Sequence, residues 1–241
     1  MPVRFLSVGD RALAVEFGDA VDRGLSRRVL RLERALRAAR LAGVVESVPS
    51  FRSLLVHYDP LAASRADLEA AIAGLLGRDA DAAATTRLWR IPVCYAGELA
   101  PDLDEVARLT GHTPAEVASL HSSVRYHVYM LGFLPGFPYL GDLPAGLALP
   151  RRADPRVRVP AGSIAIATSL TAIYPYESPG GWHLIGATPV RLFDQARTPP
   201  ALLAAGDAVR FEPIDLDAFA AIGRAVADGG YPLDSVPMAP P

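Results

Sequence analysis

Four arginines within eight residues, Arg151, Arg152, Arg156 and Arg158, lie in a proline-rich stretch that leads into Pro160-Ala161-Gly162-Ser163. The planar guanidinium fork suits a carboxylate or phosphate, and loop amides with the Ser163 hydroxyl can meet the same anion. The alternative is a solvated loop whose arginines make only surface pairs, each worth at most about 1 kcal/mol. Further on, Ser178-Pro179-Gly180-Gly181-Trp182 sets two glycine amides beside a large aromatic. That pattern fits an oxyanion or phosphate nest with Trp182 stacked on a ligand or partner, or a tight turn around a core tryptophan.

Of the five histidines, His121 and His127 stand six apart, which puts them on different faces of any helix. With no HExxH, no CxxC and no acidic ligand cluster, a metal site is not expected. His121 ends a helix with a capping signature. There it can meet the helix dipole as an imidazolium, or carry a proton, because its unperturbed pKa lies near neutrality. Cys94, the single cysteine, sits in the apolar run Ile91-Pro92-Val93-Cys94-Tyr95 and reads as a buried, inert thiol. Neither a GxSxG elbow nor a GxxxxGK[ST] loop occurs, so a standalone serine hydrolase or P-loop ATPase is not supported. Phe133, Phe137, Tyr139, Tyr174 and Tyr176 add aromatic surface of the kind that covers interfaces. A chain with shaped loops and no complete catalytic set can supply half of a site.

Elements must hold these loops in place. The dense glycine and proline of Gly132 to Pro189 specify irregular segments held in one shape. Before them, Val3–Val8 and Ala12–Phe17 read as a hairpin. Val21 to Leu41 reads as an amphipathic helix closed by Gly43, Val44–Val48 and Ser53–Tyr58 as strands, and Ser64 as the N-cap of a helix through Leu76. The order ββαββα describes a small α/β sandwich over residues 1–80, and Gly77 to Thr86 reads as a linker. Beyond it come a strand at Leu88–Tyr95 and two helix starts of the capping-box type, Asp102 with Glu105 and Thr113 with Glu116. A strand at Val124–Leu131 follows, then short strands near Ser163–Ala167 and Pro189–Phe193 and a closing strand at Ala208–Phe211. The second domain therefore spans 87–213, and 214–241 carries a terminal helix and a loose proline-rich tail from Pro232. Charged residues make up 21% of the chain and the net charge is −2, so no broad basic field exists for nucleic acid or an anionic membrane. No apolar run approaches the roughly 20 residues of a membrane helix, and the N-terminus does not read as a signal peptide. A cytoplasmic location is expected.

At Ile-Pro-Val-Cys-Tyr, Gly-Phe-Leu-Pro-Gly-Phe-Pro-Tyr-Leu-Gly, Val-Pro-Ala-Gly-Ser, Ile-Tyr-Pro and Ser-Pro-Gly-Gly-Trp-His-Leu-Ile-Gly, the sequence resembles one family closely. It comprises the B subunit of bacterial ATP-dependent 5-oxoprolinase, allophanate hydrolase subunit 1 and a sporulation-kinase inhibitor. The resemblance implies an α+β chain whose second domain is a cyclophilin-like β-barrel, similar to part of the carboxyltransferase portion of urea carboxylase. It also implies partners: a C subunit, like allophanate hydrolase subunit 2, and an A subunit. Together they would use ATP, with Mg, to activate the lactam of 5-oxoproline and hydrolyse it to glutamate; no biotin is attached to this chain. Two other functions come with the family, inhibition of a sensor histidine kinase and a role in urea or allophanate chemistry.

Carried onto this sequence, the family motifs assign anion binding to Arg151 and Arg156, oxyanion or phosphate contact to Ser163 and the Gly180-Gly181 amides, and packing on ligand or partner to Tyr174 and Trp182. His121 would carry the proton, and Tyr126 and Thr171 are further motif positions. The family pattern has glycines where this chain has Thr168 and Ala172. If either glycine needs positive φ, the loop is strained or reshaped here.

Overall fold

The computed structural model describes residues 2–77 and 86–238. Residues 78–85, where the sequence predicts the linker, lie outside the described residues. The described residues form two compact units, one on each side of that segment.

In the first unit, β1 (Arg4–Ser7) and β2 (Ala12–Glu16) form the hairpin, followed by α1 (Arg23–Ala39), β3 (Val44–Pro49), β4 (Ser53–Tyr58) and α2 (Arg65–Leu75). The antiparallel sheet has the order β1-β2-β4-β3. Strand β4 alternates, burying Leu54, Val56 and Tyr58, which pack with Leu13 and Val15 against Val29, Leu32 and Leu36 of α1 and Leu68 and Ile72 of α2. Each such side chain contributes about 1.5–3 kcal/mol on burial. Asp22 caps α1 through the Leu25 amide at 2.9 Å, and Ser64 caps α2 through the Asp67 amide at 3.2 Å. Helix α1 stops at Arg40, which takes the left-handed φ of 45°, three residues before the expected Gly43.

The second unit opens with β5 (Thr86–Cys94), α3 (Leu103–Thr110), α4 (Pro114–Ser123), β6 (Tyr126–Leu131) and β7 (Pro138–Gly141). It continues through β8 (Arg156–Val159), β9 (Ser163–Ala167), β10 (Leu170–Ile173), β11 (Ser178–Gly180), β12 (His183–Ala187) and β13 (Ala208–Ile214), and ends with α5 (Leu216–Ala227) and β14 (Ser235–Met238). Seven strands close into a barrel in the order β12-β9-β10-β7-β6-β13-β5, sealed where Ala187 of β12 meets Cys94 of β5. Closure requires glycine at 186, because a Cβ there would lie 2.9 Å from the Cys94 carbonyl oxygen. All seven strands send side chains into one interior cluster, including Ile91, Val128, Leu140, Ile164, Ile166, Ile173, Ile185 and Phe211. Leu103, Val106 and Val117 of α3 and α4 join it.

Two expectations fail here. The strand predicted near Pro189–Phe193 is instead β12, and 189–193 keeps only an isolated bridge from Phe193 to Ala201. Pro189 lacks the amide that a ladder needs. The predicted loose tail contains β14, which pairs antiparallel with β5 and is pinned by Arg87 to the Ser235 hydroxyl at 2.8 Å. As an outer strand β14 tolerates Pro237, since its far side needs no donor. Among the described residues no helix is long and apolar enough to cross a membrane.

Candidate functional site

The motif residues separate into two groups on opposite faces of β9 and β10. Along β9, Ile164 and Ile166 turn into the barrel, while Ala165 and Ala167 turn outward. On β10, Ile173 points in and Ala172 out. The outward alanines leave room for an aromatic layer of Phe137, Tyr139, Tyr174 and Trp182. Phe137 stands edge-on to Tyr174 at 5.0 Å and to Trp182 at 6.4 Å, and Tyr139 lies 5.1 Å from Phe137 and 6.1 Å from Trp182. Offset and edge contacts of this kind add about 0.5–1.5 kcal/mol each beyond burial and keep the layer rigid.

Cationic groups border this layer. The Arg151 guanidinium sits 5.9 Å from the Trp182 ring centroid, and among the described residues it has neither a carboxylate nor a hydrogen-bond partner. Its loop neighbours differ. Arg152 reaches Asp102 at 3.1 Å and Glu105 at 2.9 Å, Arg156 reaches Asp102 at 2.5 Å, and Arg158 forms a two-pronged exposed pair with Glu177. Arg156 nevertheless keeps one buried guanidinium nitrogen, Nη1, with no partner among the described residues. Burial raises the Tyr174 hydroxyl to about 12, Tyr139 adds to that rise, and Arg151 and Arg156 pull against it. Tyr174 is therefore a neutral donor facing two cations. Its ring is 2% exposed, and its hydroxyl rests on the backbone of Gly180, where a Cβ would approach it to 2.3 Å.

That contact explains glycine at 180, whereas a Cβ at 181 would meet Pro155 only at an ordinary 3.4 Å. Neither Gly180 nor Gly181 takes a positive φ, as an amide nest requires, and Gly180 lies in β11 opposite Arg156. The Gly181 carbonyl accepts from the Arg152 amide at 2.8 Å, which ties the arginine loop to the tryptophan turn.

The two expected catalytic residues are occupied elsewhere. Ser163 is 4% exposed and donates its hydroxyl to the Pro160 carbonyl at 2.8 Å, locking the turn into β9. His121 is fully buried inside the barrel, stacked on Phe211 at 4.6 Å. Its Nδ1 meets the Tyr95 hydroxyl at 2.7 Å and its Nε2 meets Thr171 Oγ1 at 2.9 Å. Thr171 donates onward to the Ala165 carbonyl at 3.0 Å, so the chain of bonds is complete with Tyr95 donating to Nδ1 and Nε2–H donating to Thr171. Burial depresses the imidazole to about 3. A neutral, enclosed ring with both nitrogens bonded carries no proton to a substrate. Tyr126 completes this interior set by donating to the His121 carbonyl at 2.8 Å.

Asp102 is the residue that sequence reading misses. Where its position suggests a helix cap, it makes no side-chain cap and instead turns its carboxylate to the two arginines and the Leu184 amide at 2.7 Å. Thr113 and Glu116, in contrast, form a full capping box. Thr168 takes φ 53°, so a β-branched side chain occupies a left-handed turn position, while Ala172 sits in regular strand with no such demand. The single thiol, Cys94, is buried and pushed up by desolvation, as an inert core residue is. Among the described residues no group of three or more His, Cys, Asp or Glu converges to hold a metal ion.

Comparison with known proteins fits this architecture. The family described as "Carboxyltransferase domain, subdomain C and D" matches residues 3–203. The chain is 39% identical to the 5-oxoprolinase B subunit of Bacillus subtilis across 88% of its own length and 93% of the relative's. To the corresponding protein of Escherichia coli O157:H7 it is 41% identical, covering 86% and 94%. The solved structure of TTHA0988 superposes with a TM-score of 0.77 at 41% identity, covering 85% of this chain and 40% of that one. Kluyveromyces lactis urea amidolyase, at 21% identity and a TM-score of 0.81, shares the fold over 98% of this chain and 16% of its own. The chain belongs to the carboxyltransferase subdomain C and D family, on the branch of the 5-oxoprolinase B subunits.

Proposed function

We propose that this chain is the B subunit of an ATP-dependent 5-oxoprolinase and supplies the face that holds the substrate's carboxylate. The supporting observation is Arg151, a cation left without a carboxylate beside Trp182 while its three loop neighbours all have one. Arg151 is exposed and gives a carboxylate a donor of the right charge, and Arg156 adds positive charge from within the fold. Behind them lies the aromatic layer, in which Tyr174 and Trp182 are buried and Tyr139 is half-buried, a rigid support for the arginine loop. A donor supported in this way orients the substrate rather than reacting with it.

The reaction itself has two demands. A lactam carbon is a poor electrophile, so transfer of the γ-phosphoryl group of ATP to the lactam oxygen turns that oxygen into a leaving group. Water then adds to that carbon and the C–N bond opens with the ring nitrogen leaving as the amine, which gives an acyl phosphate; a second water cleaves it to the carboxylate and phosphate, so two waters are consumed overall. On this reading the base, the nucleotide and its Mg belong to an assembly with the A and C subunits, and the chain alone is inactive.

The test is phosphate release from ATP with and without 5-oxoproline, for this chain alone and with its candidate A and C subunits. Release that needs both the substrate and the full mixture is expected. An assembled mixture that releases none with 5-oxoproline would sink the reading and shift attention to sensor-kinase inhibition or another amide.

A further inference from the structure

Phe133 is strained and exposed at once. It takes φ 69°, and the Leu134 amide donates back to the Gly132 carbonyl at 2.9 Å, so residue 133 sits at the centre of a γ-turn of the rare positive-φ kind. A bulky aromatic is seldom held there. Two further bonds fasten the loop: the Phe137 amide donates to the Leu134 carbonyl at 3.0 Å across Pro135 and Gly136, and the Gly132 amide donates to the Phe137 carbonyl at 3.1 Å. Gly136, at φ 76°, meets the demand of a type II turn at its third residue. The ring that this backbone holds out gains little from its own chain. It is 62% exposed, and its one ring contact among the described residues is Phe137, edge-on at 5.4 Å.

Apolar surface continues beside the loop. Gly136 lies so close to Phe193 that a Cβ would come within 2.9 Å of the Phe193 Cβ, and the half-buried Phe193 ring stands 6.0 Å from that of exposed Tyr176. Rigid aromatics presented in this way anchor protein interfaces, and a strained residue among them points to a role outside the chain. The relatives indicate what covers the patch. The matched region is 93% of the Bacillus subtilis relative but 40% of TTHA0988, so the same unit occurs alone and joined to a longer remainder. Covalent joining keeps at high effective concentration parts that must otherwise find each other.

We propose that Phe133 anchors the interface with the C subunit, the counterpart of that remainder, and that its ring fills an apolar pocket there. This rests on the assembly given under Proposed function. The test titrates the C subunit onto the purified chain and measures the chain's unfolding midpoint alongside. Phe133→Gly removes the ring and suits positive φ, so it should weaken binding about 30-fold or more and leave the midpoint unchanged or higher. With the C subunit in excess, the assembled variant should regain phosphate release that depends on 5-oxoproline, with a wild-type KM. Leu61→Ser, which removes a 95% exposed apolar side chain from the first unit, should bind as the wild type does. If the glycine variant does not fold, Phe133→Asn, also at ease at positive φ, repeats the test.

Wild-type affinity in folded Phe133→Gly overturns the proposal, as does a wild-type chain that does not bind the C subunit. Failure of both variants to fold would make the ring part of the fold, and a raised KM with the C subunit in excess would make it part of the substrate site; either result overturns the proposal too. Failure of the parent reading looks different: the wild-type complex then forms and releases no phosphate that depends on 5-oxoproline, while the binding comparison still decides the role of Phe133.

Discussion

Inside the barrel, Thr171 of β10 holds His121; on the outer face its neighbour Ala172 makes room for Tyr174 and Trp182. Both sides carry polar motif residues, and they differ in what is left over. Every polar atom of the interior set of His121, Tyr95, Thr171 and Tyr126 has its partner. The outer set ends in an unused surface donor, Arg151, with a second unpaired nitrogen, Nη1 of Arg156, buried beneath the surface. A satisfied network fixes one packing of a core, whereas a donor left over at a rigid surface is available to a ligand. The inner set therefore builds the barrel, and the proposed function assigns substrate recognition to the outer set.

The largest effect should come from the inner set. His121→Ala removes the stack on Phe211 and strands the Tyr95 hydroxyl in the core, a loss of about 3–5 kcal/mol from cavity and orphaned donor together. Denaturant unfolding of the isolated chain would read it, and a loss under about 1 kcal/mol would mean the network is not a core element.

Acid gives a second view of the same contrast. The folded imidazole lies near 3 and its ordinary value is 6.5, so between these the unfolded chain binds more protons than the folded one. Stability contributed by neutral His121 is full above about pH 6.5 and falls as pH drops toward 3, with a slope of at most about 1.4 kcal/mol per pH unit. Unfolding followed across that range should show the slope in the native chain and lose it in His121→Gln. An unchanged slope would place the acid sensitivity elsewhere.

The smallest effect belongs to the turn between β9 and β10. Thr168→Gly relieves a β-branched residue at φ 53° and forfeits chain entropy, for a net gain of up to about 1 kcal/mol in stability. No change in KM should accompany it. A large KM change would tie this turn to the substrate and blur the division between the two faces.

The sequence is legible where local chemistry decides. The Thr113–Glu116 box, the Ser64 cap and the alternation of β4 need only near neighbours, and each occurs where the pattern places it. It misleads where the deciding contact is remote. Asp102 followed by Glu105 has the form of a cap, but arginines 50 and 54 positions away claim the carboxylate. A proton-carrying His121 assumes a pKa that holds only in water, and the burial that depresses it comes from strands elsewhere in the chain. Gly180-Gly181 resembles a nest because sequence shows the missing Cβ and not the Tyr174 hydroxyl that occupies its place. The prolines of the tail conceal β14, since an outer strand accepts them. Trp182 is 6% exposed within the aromatic layer, which is the core-tryptophan alternative that the sequence leaves open.

The most direct test of the division compares Arg151→Gln and His121→Gln in the assembled complex, measuring KM for 5-oxoproline and the unfolding midpoint of each variant chain. The account predicts opposite losses: Arg151→Gln raises KM about tenfold or more with an unchanged midpoint, and His121→Gln lowers the midpoint while the folded fraction keeps its KM. A normal KM in Arg151→Gln, or a raised KM in stably folded His121→Gln, would contradict it.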